Sequence, residues 1–374
     1  MKKIILSFVT VLLFGGYFSN VKAQDDISNI FKAGVVDLNS VAKGYLTPAG
    51  NSFSTGLGSD WYNTAAVHKT WGFDITFGVG VVQAPQSDQN FSLTGLTNLK
   101  PTIAGTTQAP SFAGNGNGVE LNLMQPHYLA NGTTLNPLWD NGNGKIISFN
   151  TPGGVSRNVP TASIQLTLGL PFINDVSFRF MPKVNVSGFQ ASLWGIGIKH
   201  NFKQWIPVIK DLPFDAAIVV AYSKFDMNYA FPTSFQITPD KLVSAGLSYI
   251  ADPNLNNYTT QGMKVSANAQ TANLVFSKKL LFITPYVGFG VTKSNFDLAM
   301  VGNYPTLGDP VYSGGEYKMQ IKNITDPVKI SSNEVMTNLT LGIRLKVLWI
   351  ATIHAQYEIQ KYPVATVGFG LTMR

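Results

Sequence analysis

Over residues 335–347 the odd positions are Val335, Thr337, Leu339, Leu341, Ile343, Leu345 and Val347, and the even ones are Met336, Asn338, Thr340, Gly342, Arg344 and Lys346. Residues 351–361 repeat this, with Ala351, Ile353, Ala355, Tyr357 and Ile359 against Thr352, His354, Gln356, Glu358 and Gln360. Residues 363–373 do so again, with Ala365, Val367, Phe369, Leu371 and Met373 against Thr366, Gly368, Gly370 and Thr372. A period of two means extended strands with one apolar and one polar face. Each run is about twice the length of an ordinary globular strand. It matches the roughly 9–11 residues that a tilted strand needs to cross a bilayer.

Similar runs occupy 71–82, 162–170, 176–186, 189–202, 214–229, 241–251, 265–279 and 282–296. In 176–186 the phase puts Phe178, Phe180 and Val184 outward and Arg179, Lys183 and Asn185 inward. Shorter strands are expected near 90–97, 118–124 and 145–150, and one or two within 297–332, among long Gly/Pro-rich loops. The expectation is an all-β, antiparallel transmembrane barrel of about 14 strands. The segment 204–213 reads as a short amphipathic turn at the membrane boundary.

Charge supports this class. Charged residues make up only 13% against a hydrophobic content of 45%, about half the charge of a usual soluble domain. A wall facing lipid leaves less surface for water to cover. The net charge is +7, and Lys2, Lys3 and Lys22 would leave with a leader, so nucleic-acid binding has little support. The absence of cysteine excludes a disulfide scaffold, lipid attachment at a mature N-terminal cysteine and thiolate chemistry.

Lys2 and Lys3, the apolar stretch 4–18 and Val21-Lys22-Ala23 predict a cleaved signal peptide over 1–23, and with it a Gram-negative outer-membrane location. The chain ends with Phe369 near Arg374, a partial match to the terminal aromatic that barrel assembly machinery reads. Residues 24–70 form a separate segment ahead of the barrel at 71–374. Ile27, Ile30, Phe31, Val35, Leu38, Val41 and Ala42 lie near helical spacing, 46–50 should break that helix, and 51–60 should be loop. The segment is either a periplasmic helix closing one mouth or a plug within the lumen.

Catalytic motifs are missing. His68, His127, His200 and His354 lack a second ligand at metal spacing, and no G-x-S-x-G elbow is present, so no enzyme activity, metal or cofactor is expected. The informative charges lie on inward phases: Arg179, Lys183, Arg344, Lys346, His354 and Glu358 are the lumen-lining candidates. An Arg or Lys facing lipid at the midplane would cost about 2–4 kcal/mol. These residues either form a basic pore lining that favours anionic solutes or bridge between strands to hold the wall together.

Gly58-Ser59-Asp60-Trp61-Tyr62-Asn63-Thr64-Ala65, His68-Lys69, Gly72-Phe73-Asp74-Ile75-Thr76, Gly197-Ile198-Lys199-His200-Asn201, Gln204-Trp205-Ile206-Pro207 and Leu212-Pro213-Phe214-Asp215 resemble an uncharacterised family of Bacteroidota outer-membrane proteins. More distantly the architecture resembles the FadL-like long-chain fatty acid transporters. Their Asn-Pro-Ala hatch element is matched by Thr47-Pro48-Ala49 in its Pro-Ala, which makes these three the hatch candidates. The resemblance implies passive uptake, with hydrophobic compounds as a candidate cargo, gated by the N-terminal segment. The alternative is a structural or partner-binding barrel with a sealed lumen, such as a secretion accessory or an adhesin. Expected partners are outer-membrane lipid, the assembly machinery and a small hydrophobic or anionic solute.

Overall fold

The computed structural model describes residues 34–124, 133, 148–172, 174–186, 188–242, 249–250, 257–347 and 349–373. The expected signal peptide and positions 243–248 and 251 of the strand expected over 241–251 lie outside these residues. Of the rest, 241–242 end a helical turn, Pro239–Leu242, and Tyr249–Ile250 pairs with Glu316–Thr325 outside the wall. Ten strands form one closed antiparallel barrel. They are β1 (Phe73–Gln83), β2 (Asn158–Leu170), β3 (Asn174–Val186), β4 (Phe189–Asn201), β5 (Asp215–Ala230), β6 (Gly262–Ser277), β7 (Ile283–Val301), β8 (Val328–Val347), β9 (Ala351–Ile359) and β10 (Val364–Met373). Every strand pairs with its sequence neighbours, and β1 closes the ring by pairing with both β2 and β10, Phe73 lying opposite Leu168 and Met373.

The alternation reports inside and outside as expected, and it does so inverted relative to a soluble protein. Leu341 on the odd row of β8 is 50% exposed, whereas His354 on the even row of β9 is 1% exposed. Towards the short-turn end apolar side chains face out and polar ones face in, the distribution of barrels whose walls meet hydrocarbon. Nearer the long loops Phe225, Met227, Phe296, Leu298, Val328 and Ile330 turn inward to form a core with Leu38, Val41 and Leu57 of the N-terminal segment, while Lys293, Asp297 and Lys329 are exposed. No described helix is long and apolar enough to cross a membrane.

The barrel has ten strands rather than the expected 14 or so. The extra candidates are real strands that do not enter the wall. Asn90–Ser92 pairs with Gln108–Pro110, and Glu120–Leu123 lies between Leu99–Pro101 and Ser148–Asn150. Asn303–Ser313 and Glu316–Thr325 form a hairpin. The three- and four-residue pieces are too short to span. The hairpin strands are long enough, but Pro305, Gly308 and Pro310 interrupt the first, and its register shifts between Leu307 and Pro310. The hairpin pairs with Tyr249–Ile250 and not with the wall. They fold as small sheets over one mouth, burying Leu99, Leu121, Leu123, Phe149, Tyr304 and Ile321. That mouth is the long-loop end. The opposite, short-turn end holds the start of β1, the end of β10 and the connecting residues 171–172, 202–214, 278–282 and 349–350.

A helix, α1 (Val35–Gly58), runs from the long-loop end into the barrel. It passes through Pro48, so the expected break at 46–50 and loop at 51–60 are not observed. Packing outweighs the proline. A Cβ on Gly50 would sit 2.2 Å from the Phe296 ring, one on Gly56 2.2 Å from Thr161, and one on Gly58 2.8 Å from Thr292. Glycine and serine, ordinarily loop signals, are here what lets a rod fit a narrow tube.

Candidate functional site: the plugged lumen

Of the two readings of the N-terminal segment, the plug is the one observed. The first turn of α1 is anchored to the long-loop cap: the Asp37 carboxylate accepts hydrogen bonds from the Thr97, Asn98 and Leu99 amides at 2.7–2.9 Å. Lower down, Asn51 Nδ2 donates to the Tyr362 hydroxyl (3.0 Å), which in turn donates to Asp88. Thr47, Pro48 and Ala49 lie within the unbroken helix, with the Thr47 hydroxyl bonded back to the Lys43 carbonyl.

The C-terminal carbonyls of a helix need donors once buried, and Arg179 on β3 supplies them. Its guanidinium donates to the carbonyls of Leu57 (3.3 Å), Ser59 (2.9 Å) and Asp60 (2.6 Å) and to Gln165 Oε1 (3.1 Å). The Ser223 hydroxyl on β5 reaches the Leu57 carbonyl as well. Trp61 lies under the same guanidinium, its ring centroid 3.9 Å from Cζ, in a niche opened by Gly195 and Gly197.

From Ser59 the chain descends to β1 and is tied to the wall at each step. Asp60 meets His354 Nε2 at 2.8 Å, and its amide donates to Glu358 at 3.3 Å. Tyr62 donates to Thr340 (2.9 Å) and occupies the space opposite Gly288. The Ala65 amide donates to the Ser277 hydroxyl. Lys199 Nζ donates to the Ala66 carbonyl at 2.9 Å and pairs with Asp175, also at 2.9 Å. Asp175 also binds His68, through both its amide (2.9 Å) and its ring (3.0 Å). Below the plug, Arg344 pairs with Asp74 at 3.3 Å across the barrel, and Thr76 donates to Asp74.

Of the six lumen-lining candidates, Arg179, Arg344, His354 and Glu358 are buried inside and used as described. Two are not. Lys346 sits on the inward row but at the end of β8, exposed at the short-turn mouth. Lys183 is exposed because the β3–β4 register shifts between Met181 and Val184. Pro182, which cannot donate to the ladder, lies in that bulge. Beyond it Val184 pairs with the inward Ala191 and Asn185 is exposed, reversing the expected phase.

Sequence reading missed Asp60, Trp61, Tyr62 and His68 as lumen residues, since the descending segment has no period to read. Asp175 and Lys199 stood on inward phases and were legible in principle. A cavity of about 20 Å³ remains beside the plug, between Trp61, Asn63, Gln165 and Lys199, room for about one water. Among the described residues no three His, Asp or Glu side chains gather as metal ligands.

Several solved barrels resemble this fold loosely. The attachment invasion locus protein Ail of Yersinia pestis is 9% identical over 81% of this chain and 98% of its own, with a TM-score of 0.24. The translocator domain of the autotransporter NalP from Neisseria meningitidis is 8% identical over 87% and 93%, with a TM-score of 0.26. A Pseudomonas aeruginosa FadL homologue is 10% identical over 89% and 97%, with a TM-score of 0.22. Likenesses this loose carry no statement about activity. No curated protein matches the chain. The model of one family covers residues 1–373, and the chain accordingly belongs to that family, the family of unknown function DUF6588.

Proposed function

We propose that this protein is an outer-membrane barrel whose ground state is sealed, and that it acts as a membrane-held scaffold presenting its capped long-loop end to a partner. One observation carries the reading: the inner wall is matched to the protein's own N-terminal segment, α1 packing on Phe225, Met227, Phe296, Val328 and Ile330 and the residues after it bonding to Arg179, His354, Glu358 and Lys199. Arg179 and Arg344 face a helix terminus and Asp74, so they do not form a basic ring for passing anions. The reading assigns no bond-making step to the chain. Planar-bilayer recording of the full chain tests it. Baseline current is expected, and a steady conductance in the unmodified protein would sink it.

A second reading, gated uptake, draws on the polar contacts of the segment 59–68 with the wall, α1 above it being seated in an apolar seam with Phe225, Met227, Phe296, Val328 and Ile330. Hydrogen bonds and ion pairs can be exchanged for water on withdrawal more readily than an apolar seam. It predicts that Arg179→Ala produces discrete openings where the unmodified chain shows none.

A further inference from the structure

The short-turn end breaks a local rule three times. Trp71 (φ 68°), Phe172 (φ 60°) and Leu281 (φ 52°) all adopt the left-handed conformation that bulky side chains avoid. Their side chains are 78%, 84% and 88% exposed, so no packing explains them. At the long-loop end the same conformation falls to Gly188, Gly302, Gly314, Gly315 and Asp326, residue types that adopt it readily. Trp349, between β8 and β9, is 89% exposed, and Trp205 and Val208 protrude from 202–214. Every connection at this end therefore carries a large apolar tip.

The tips are accompanied by cations. Lys69, Lys210, Lys278 and Lys279 are exposed here, while the acids at this end among the described residues are Asp211, exposed, Asp215, half-buried, and Asp74 and Asp175, buried in ion pairs. The 202–214 loop also lies against the outer wall and not over the lumen. Trp205 Nε1 donates to His200, whose row faces outward, and Lys203 sits 5.5 Å above the Phe214 ring, itself 6.3 Å from Phe276. The apolar ring is thus continuous with the wall read above as lipid-facing. Apolar tips flanked by lysines suit a headgroup layer, where rings enter the acyl boundary and ammonium groups meet phosphate.

We infer that the short-turn rim is a docking surface for anionic phospholipid, its apolar tips sunk into that leaflet and its lysines holding the phosphates. The inference rests on the membrane reading and is tested separately from it. The chain has no cysteine, so single-cysteine variants F172C and L281C can carry an environment-sensitive nitrobenzoxadiazole label, with I103C on a long loop as the water-exposed reference. Heat-modifiable gel mobility in phosphatidylcholine/phosphatidylglycerol vesicles first reports whether the barrel has inserted; failure there overturns the membrane reading itself.

In inserted protein, the labels at 172 and 281 should emit to the blue of the label at 103 and resist aqueous dithionite. Equal quenching at all three positions would overturn the inference and leave a soluble protein partner as the occupant of the rim. Spin-labelled phosphatidylglycerol should associate more tightly than spin-labelled phosphatidylcholine, by about fivefold for each lysine that meets a phosphate. That preference should fall in K278Q/K279Q while label depth is unchanged. A preference unaffected by the substitutions would equally overturn it.

Discussion

Arg179 serves the plug as a side-chain cap delivered from outside the helix. It is buried, and three main-chain carbonyls and one amide oxygen depend on it. Removing one partner of a buried charged network costs roughly 3–5 kcal/mol, so Arg179→Ala should lower stability by about that much in urea unfolding from vesicles. Arg179→Lys should recover only part of it, because an ammonium cannot span the forked contact. At the long-loop end Tyr362 supplies a pH test. Burial first, and then its hydrogen bond to Asp88, raises its hydroxyl pKa. An acid whose folded pKa is raised contributes stability that is whole below the unfolded value and lost as pH climbs towards the folded one. Stability should therefore decline above about pH 10, and Tyr362→Phe should make that alkaline limb shallower. Residues on the wall were legible in the sequence: alternation put Arg179, Arg344, His354 and Glu358 inside. Their partners were not, since Asp60 and His68 belong to a segment whose conformation is dictated by the cavity that it fills.

The elements repeat that division. Strands β9 and β10 follow the period of two from end to end, and β8 does so from Val335 on, because the two faces of the wall meet different surroundings. At its long-loop end β8 turns Val328 and Ile330 inward instead. Reading failed where one residue overrode the period, as at Pro182, or where composition misled, as along α1. Gly50 makes the second case testable. In a free helix Gly→Ala gains up to about 1 kcal/mol. Here the new methyl would lie 2.2 Å from the Phe296 ring, and overpacking costs typically 1–3 kcal/mol. Gly50→Ala should therefore destabilise the protein, while Gly50→Ala with Phe296→Leu should regain most of the loss. A gain in the single substitution, measured by thermal loss of heat-modifiable mobility, would mean that α1 is not packed against β7.

At the scale of the molecule, α1 begins among the long loops and its chain reaches β1 at the other mouth. Val36, exposed in the first turn, should thus be reached from the same side as Ile103, and Trp349 from the opposite one. Membrane-impermeant maleimide added to one side of oriented vesicles checks this: V36C and I103C should label together, and W349C only from the far side. Labelling of V36C together with W349C would reverse the plug. The closed ring was legible in the sequence, but its circumference was not, because short strands in loops and strands in a wall look alike until length and partners are known. The route of the plug also bears on how the protein is made. A thread fastened at the lower edge of a tube and tied again at the upper edge, through Asp37, arrives there in one of two ways. Either the tip is pushed up the bore, or the staves are joined around it. In both, Val35 travels the full depth of the tube before the last seam, β1 to β10, can be said to enclose anything.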